Sequence, residues 1–420
     1  MVAVDTHRTP ERVTVIGAGM VGLATAWFLQ ERGVAVTVVD REGVAAGSSW
    51  GNAGWLTPGL ATPLPEPAVL RYGLRAVLSP SSPVYVPPTA DPRLLRFAAG
   101  FARHSTAARW KRAMAALAPI NGKALAGFDA LADGGVAGET VEAKSFLAAY
   151  RTEAERGVLL EEIEHIRAAG QDLEFEVLTG AEAREVEPSL SGAIGSAIRL
   201  HGQRFIDPGT YVHLLADSVR ARGGEIRDGA AVRAIRDEGA TGVVELAGGD
   251  VERADAVVIA TGARLGDLAR PFGVRTIVQA GRGYSFSIPL EHVPAGPVYF
   301  PSQRVACTPI GDRLRVAGMM EFRAPDAPLD PRRVRAIVEA ARPLLRDADF
   351  DARTDEWVGS RPCTPDGLPL IGATRSQRVF VAGGHGMWGI TLGPATGQLL
   401  AERITTGRAP AELAPFDPLR

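Results

Sequence analysis

The sequence predicts a mixed α/β protein in two parts. A doubly wound parallel-sheet domain is assembled from residues 1–80, 205–275 and 355–420, and an α+β part built on an antiparallel sheet takes residues 81–204 and 276–354. Three observations lead there. A complete strand–turn–helix–strand unit fills residues 13–40. Its pattern of an apolar strand ending in small residues returns near 256–262 and again near 379–391. Between those returns, residues 276–356 read as β-rich, with one helix near 331–346.

Composition sets the bounds. With 420 residues, 46% of them apolar and 22% charged, the chain buries a sizeable core and forms two domains or one large discontinuous one. A formal net charge of −2 gives no electrostatic reason to expect nucleic acid as a partner, so small-molecule chemistry becomes the default. The two cysteines, Cys307 and Cys363, lie far apart with no Cys/His spacing. They suggest neither a disulfide framework nor a metal site, and read as small buried hydrophobes. The opening MVAVDTHRTPER lacks the basic-then-apolar order of a secretory signal, which points to the cytoplasm. Residues 13–30 approach the length of a membrane span, yet three glycines in a fixed pattern make them a strand, a turn and a helix; no span is expected.

The first unit carries the first chemistry. A β-branched run at 13–16 enters Gly17-Ala18-Gly19-Met20-Val21-Gly22, a helix follows to about Arg32, and a second strand at 35–39 ends at Asp40. In this Rossmann-like arrangement Gly17 makes the turn, Gly19 lets the backbone approach a pyrophosphate, and Gly22 lets the helix pack on the strand. The helix N-terminus faces the phosphates. Asp40 stands where a carboxylate accepts hydrogen bonds from ribose hydroxyls and disfavours a 2′-phosphate, which argues against NADP. The motif does not separate FAD from NAD, and its bland alternative is a glycine-rich turn with no ligand.

Residues 41–59, REGVAAGSSWGNAGWLTPG, form a small-residue loop able to follow an extended cofactor. A proline-rich passage runs to about Asp91, then helices are expected at about 91–105 and 107–132. DPGTYVHLLADSVRARGGEI reads as helix then strand, GAAVRAI as a strand, and ADAVVIATGAR as a strand ending at Ala260-Thr261-Gly262. QRVFVAGGHGMWGITLGPATGQLLAERITTG reads as a strand at 379–382, a glycine turn, and a helix from about Thr391. Such a helix opening presents backbone N–H groups and a positive dipole end, suited to negative charge developing on a ring edge.

Taken together, VIGAGMVGLATAWFL, GSSWGNAGWLTPG, DPGTYV, VVIATGAR, GRGYSFSIP, SRPCTPDGLPLIG and GGHGMWGITLGPATGQLLAE, in that order from residue 13 to residue 404, resemble the FAD-dependent amino acid oxidoreductases of the D-amino acid oxidase and glycine oxidase superfamily, most of all its bacterial D-amino acid dehydrogenases. The resemblance implies noncovalent FAD. Asp40 and Arg41 would bracket the adenosine ribose, and Val232 would touch adenine. Ser48, Ser49, Asn52, Ala53, Gly54 and Trp55 would line pyrophosphate and flavin. Ala260, Thr261 and Gly262 would flank the cofactor, and Gly384, His385, Gly386, Met387, Trp388, Gly389, Ile390 and Thr391 would embrace the flavin's pyrimidine edge.

The same resemblance gives Arg361, in WVGSRPCTPDGLPLIG, the substrate α-carboxylate, a task for which the planar guanidinium fork is suited. From spacing alone, a structural ion pair with Asp366 or Asp355 is the competing role. Tyr284 would sit over the flavin as a catalytic or gating phenol, with an equal case for a core aromatic. Met387 and Trp388 would shape the side-chain pocket. His385 is not needed as a base, because hydride transfer from a neutral amine is driven by the nitrogen lone pair.

The implied reaction turns an amino acid into an imino acid, which water converts to a 2-oxo acid and ammonia, with electrons leaving to a quinone, another carrier or O2. The covalent attachment cysteine of the sarcosine-oxidase branch is replaced by Gly359. The lysine that promotes reaction with oxygen there is missing, since the chain has only Lys111, Lys123 and Lys144 and the comparable strand carries Arg313 and Arg315. A dehydrogenase, compatible with peripheral contact at the inner face of a membrane, is therefore expected over an oxidase. The alternatives are an oxidase of glycine, sarcosine or an imino acid such as D-hydroxyproline, and a flavin-binding subunit of a hetero-oligomeric amine dehydrogenase.

Overall fold

A computed structural model describes residues 8–67, 82–87 and 89–420. Residues 1–7, and 68–81 and 88 within the proline-rich passage, lie outside that set.

The strand Arg12–Ile16 has four of its five residues buried, as does Ala35–Val39, because each is a β-branched run covered on both faces. Between them the helix Met20–Glu31 is apolar nearly all round. It is a buried helix, clasped by the helix Gly389–Thr406 on one side and Pro208–Ala221 on the other. The sheet runs, in spatial order, Glu225–Arg227, Ala35–Val39, Arg12–Ile16, Ala256–Ile259, Val379–Gly383 and Leu370–Ala373, parallel except at the last strand. The segment at residues 13–30 is thus strand, turn and helix, and no helix among the described residues is long and apolar enough to cross a membrane.

The second large sheet is mostly antiparallel, with the order Thr354–Cys363, Gln279–Pro289, Arg313–Phe322, Val305–Ile310, Val298–Phe300, Phe146–Tyr150, Ser196–Leu200, Phe175–Thr179. Its core gathers Phe286, Ile288, Phe300, Val316 and Phe350. The helix Pro331–Ala341 covers it, near the place the sequence indicates.

Several expectations need correction. Residues 355–363, assigned to the parallel-sheet domain, belong to the strand Thr354–Cys363, which pairs with Gln279–Pro289 in the antiparallel sheet, so the Pro-Asp-Gly turn joins strands of two different sheets. Residues 107–133, assigned to the other part, pack Leu117, Ile120, Phe128 and Leu131 into the core of the parallel-sheet domain beside Trp27 and Leu399. The single helix expected there is two, Ala107–Asn121 and Ala124–Asp133. At the break Lys123 N donates to Ile120 O, a tighter turn at Gly122, while the Asn121 amide is drawn away to Ala61 O and Gln171. Finally, the strand Val232–Asp237 belongs not to the parallel sheet but to a three-stranded meander with Gly242–Leu246 and Val251–Ala254.

Candidate active site

One cavity of about 750 Å³ runs across the C-terminal ends of the parallel strands and under the first strands of the antiparallel sheet, within the range of ligand sites. Its wall begins at Asp40 and Val232, passes Gly17, Gly19, Met20, Ser48, Ser49 and Asn52, then Ala260, Thr261 and Gly262, and ends at Arg361, His385, Gly386, Met387, Gly389 and Ile390. Distant stretches of sequence thus converge as expected.

The glycine turn is built by contact as much as by conformation. Gly17 has φ +117°, and a side chain there would meet Ala260 O at 2.4 Å; one at Gly22 would meet Gly17 O at 1.9 Å. Ala18 N donates to Asp40 Oδ2 (2.9 Å), and Asp40 Oδ1 accepts from Glu42 N and Gly43 N, so the carboxylate also organises the turn while keeping lone pairs for a hydroxyl. Ser49 Oγ accepts from Met20 N at 3.2 Å. Arg41 reaches over the cavity to Glu42 and Asp326.

Two helices open on the cavity with no cap from their own N-cap side chains, and Ser49 Oγ takes only the Met20 N–H of the first. Met20–Glu31 begins at Gly19, and Gly389–Thr406 begins at Trp388, two residues before the expected start because its glycines disguise the first turn. Neither has an acid in its first turn, so orphan N–H groups and two positive dipole ends remain for an electron-rich ligand.

Arg361 stands on the strand Thr354–Cys363 opposite Gly281. Its Nη1 donates to Met319 O at 2.7 Å. The guanidinium lies over Gly283, where an added Cβ would fall 2.2 Å from Arg361 Cζ. No acid among the described residues is within ion-pair distance of it. Asp366, one expected rival, is occupied by Arg420 at 2.9 Å. Burial pushes the Arg361 pKa down from its ordinary value. A half-buried cation with one carbonyl partner on a cavity wall is a seat for an anion.

His385 is buried, its Nε2 sits 2.9 Å from Thr396 Oγ1, and desolvation lowers its pKa to about 4. It is neutral near pH 7 and fastens the glycine turn to the helix.

Other expected residues stand elsewhere. Tyr284 is 1% exposed, and its hydroxyl donates to Glu321 Oε2 at 2.7 Å on the face of the sheet turned away from Gly283. Its ring packs in the core of the antiparallel sheet and does not line the cavity. Ala18 and Gly22 lie beneath the turn. Ala53, Gly54 and Trp55 stand behind the wall, where Thr308 Oγ1 donates to Ala53 O and accepts from Trp55 Nε1, and Gly54 N donates to Asn52 Oδ1. Thr391 Oγ1 donates to Trp55 O, and Trp388 Nε1 to Thr62 O. Gly384 and Trp388 line a small adjoining crevice shared with Met387. Sequence reasoning missed Arg264, Arg282, Asp326 and Ser360 on the wall; Arg264, Arg282 and Ser360 lay inside the quoted VVIATGAR, GRGYSFSIP and SRPCTPDGLPLIG, and only Asp326 lay outside every motif.

A parallel sheet with a glycine turn, an acid after its second strand and a long cavity over its C-terminal edge define a dinucleotide-dependent enzyme. The chain belongs to the DAO family of FAD-dependent oxidoreductases, whose profile, described as "FAD dependent oxidoreductase", matches residues 12–403. It is 33% identical over 411 residues to a D-amino acid dehydrogenase of Cereibacter sphaeroides, covering 95% of this chain and 92% of that protein. It is 31% identical over 405 residues to one of Xylella fastidiosa, with 94% and 92% covered. Among solved structures it resembles glycine oxidase from Geobacillus kaustophilus, with a TM-score of 0.74, 24% identity and 99% of both chains covered.

FAD is the cofactor, and the cavity fits it. The glycine turn leaves the backbone bare, neither helix opening is capped by its own N-cap side chain, and Thr261 Oγ1 is buried on the wall with no partner among the described residues. Asp40 and Val232 would hold the adenosine end, Gly19, Met20 and Ser49 the pyrophosphate, and Gly389 and Ile390 the flavin edge.

Proposed function

We propose that the protein is an FAD-dependent D-amino acid dehydrogenase: a D-amino acid is oxidised at its α-carbon to an imino acid, which water converts to a 2-oxo acid and ammonia. The observation that carries this reading is Arg361, a guanidinium on the cavity wall with no acid among the described residues beside it. The names of the relatives at 31–33% identity agree with it.

When bound, FAD supplies the two-electron acceptor for the α-hydrogen. The chain does the rest. Arg361 takes the carboxylate through two parallel N–H groups and so fixes the α-carbon. Met387, partly exposed at the mouth, borders the substrate side chain. The opening of Gly389–Thr406 stabilises negative charge placed against it. Neutral His385 takes no proton, and the ammonium proton leaves to solvent.

Electrons then pass to a quinone or comparable carrier, which would bring the protein to the inner face of a membrane. Arg315, on the strand compared with the oxygen-activating lysine, is buried on Trp50 and Ser287 and does not line the cavity. A panel of D- and L-amino acids with a redox dye, run with and without oxygen, tests the proposal. Dye reduction by D-amino acids independent of oxygen is expected; oxygen consumption without dye, or inert D-amino acids, would sink it.

A further inference from the structure

Three charged side chains meet over the middle of the cavity. Arg41 follows the strand Ala35–Val39, Arg264 follows Ala256–Ile259, and Asp326 projects from residues 323–330 of the antiparallel-sheet part. Asp326 pairs with Arg264 and, at 3.4 Å, with Arg41. In the parallel sheet Arg12–Ile16 lies between the two strands that deliver the arginines. The bridge therefore passes over the glycine turn at Gly17 and Gly19, where the pyrophosphate belongs.

The arm that carries Asp326 is braced on both sides. Buried Arg282 donates to Ala327 O and to Pro328 O at 3.2 Å, and is itself held 3.5 Å from Glu321. Ser360 Oγ donates to Pro325 O at 3.1 Å, and Gln279 Nε2 to Arg323 O at 3.1 Å. The backbone is fixed while the Asp326 carboxylate stays 60% exposed. Arg264 first, then Arg41, holds that carboxyl below its ordinary pKa, so it is charged at neutral pH.

We propose that Asp326 is a strap that closes the cavity over the central part of bound FAD, so that cofactor release requires the Arg41–Asp326–Arg264 bridge to open. The two guanidinium groups balance Asp326 and Glu42, and the closed bridge presents no net negative charge to a pyrophosphate. This does not depend on which substrate is oxidised.

The test follows FAD release from the diluted holoenzyme by the rise in free flavin fluorescence. D326N should release FAD faster, on the order of tenfold at low salt, as expected for losing two half-exposed ion pairs that act together. D326E should restore slow release, and added salt should bring the wild type toward D326N, because exposed pairs are screened. Equal release rates, or slower release from D326N as simple repulsion of the pyrophosphate would give, overturn the proposal.

Discussion

Arg361 shows how far single residues can be read. Its motif announced a guanidinium in search of an anion, but spacing could not say whether Asp366 or Asp355 would meet it; only the folded chain gives Asp366 to Arg420. R361Q is expected to keep its flavin absorbance and lower kcat/KM about 10²- to 10³-fold, which corresponds to ~3–4 kcal/mol. A normal KM in that variant would remove the carboxylate assignment. Tyr284 shows the limit. On a strand, residues alternate between faces, and GRGYS does not say which face meets the cofactor. Gly283 lies beneath the Arg361 guanidinium, and its neighbour Tyr284 points the other way, to Glu321. Y284F should therefore leave KM within about twofold and cost about 1 kcal/mol of stability by removing one hydrogen bond from a buried carboxylate that Arg282 and Arg323 still face. Steady-state kinetics beside a denaturation midpoint separate the two roles.

Elements were legible where local chemistry dictates them. Ala35–Val39 falls where its β-branched run predicts, and Met20–Glu31 ends one residue before the expected Arg32. Which sheet a strand joins was not legible, because a run such as Thr354–Cys363 satisfies either neighbour until Gln279–Pro289 presents its edge. That pairing sets the site: Gly283 lies opposite Gly359, and the bare backbone of both makes room for the side chains of Trp357 and Arg361. A single methyl should therefore act at the level of the strand pair. G283A must push the guanidinium aside, since its Cβ would lie 2.2 Å from Arg361 Cζ. A shift of that size is expected to cost up to about 10²-fold in kcat/KM. FAD content, measured by absorbance after desalting, should not change, because Gly283 stands apart from the glycine turn that holds the dinucleotide. Loss of flavin along with activity would show instead that the strand pair supports the cofactor.

At the scale of the whole molecule, the sequence showed that the domain is discontinuous but not how the pieces are fastened, because the fastenings are polar contacts between segments with no shared motif. One joins three of them. Glu162, on the helix Glu153–Ala168, meets Thr62 at 3.3 Å in the segment after the flavin loop, with Glu66 nearby; Arg304, Tyr299 and Tyr150 face it from the antiparallel sheet. Thr62 O in turn accepts from Trp388 Nε1 at the cavity helix. Burial first, then Glu66, raises the Glu162 pKa from 4.5 to about 7. The folded protein thus holds a proton that the unfolded chain has released between those values. The associated stability is full below pH 4.5 and is lost as pH rises through about 7. E162Q keeps the hydrogen-bonding shape without the titration. It should match the wild type near pH 5 and exceed it near pH 8 by about 1–2 kcal/mol, less than the full shift implies because the site is partly open to solvent. Urea unfolding of both holoenzymes at the two pH values measures the difference, and parallel pH profiles would mean that Glu162 stays ionised throughout.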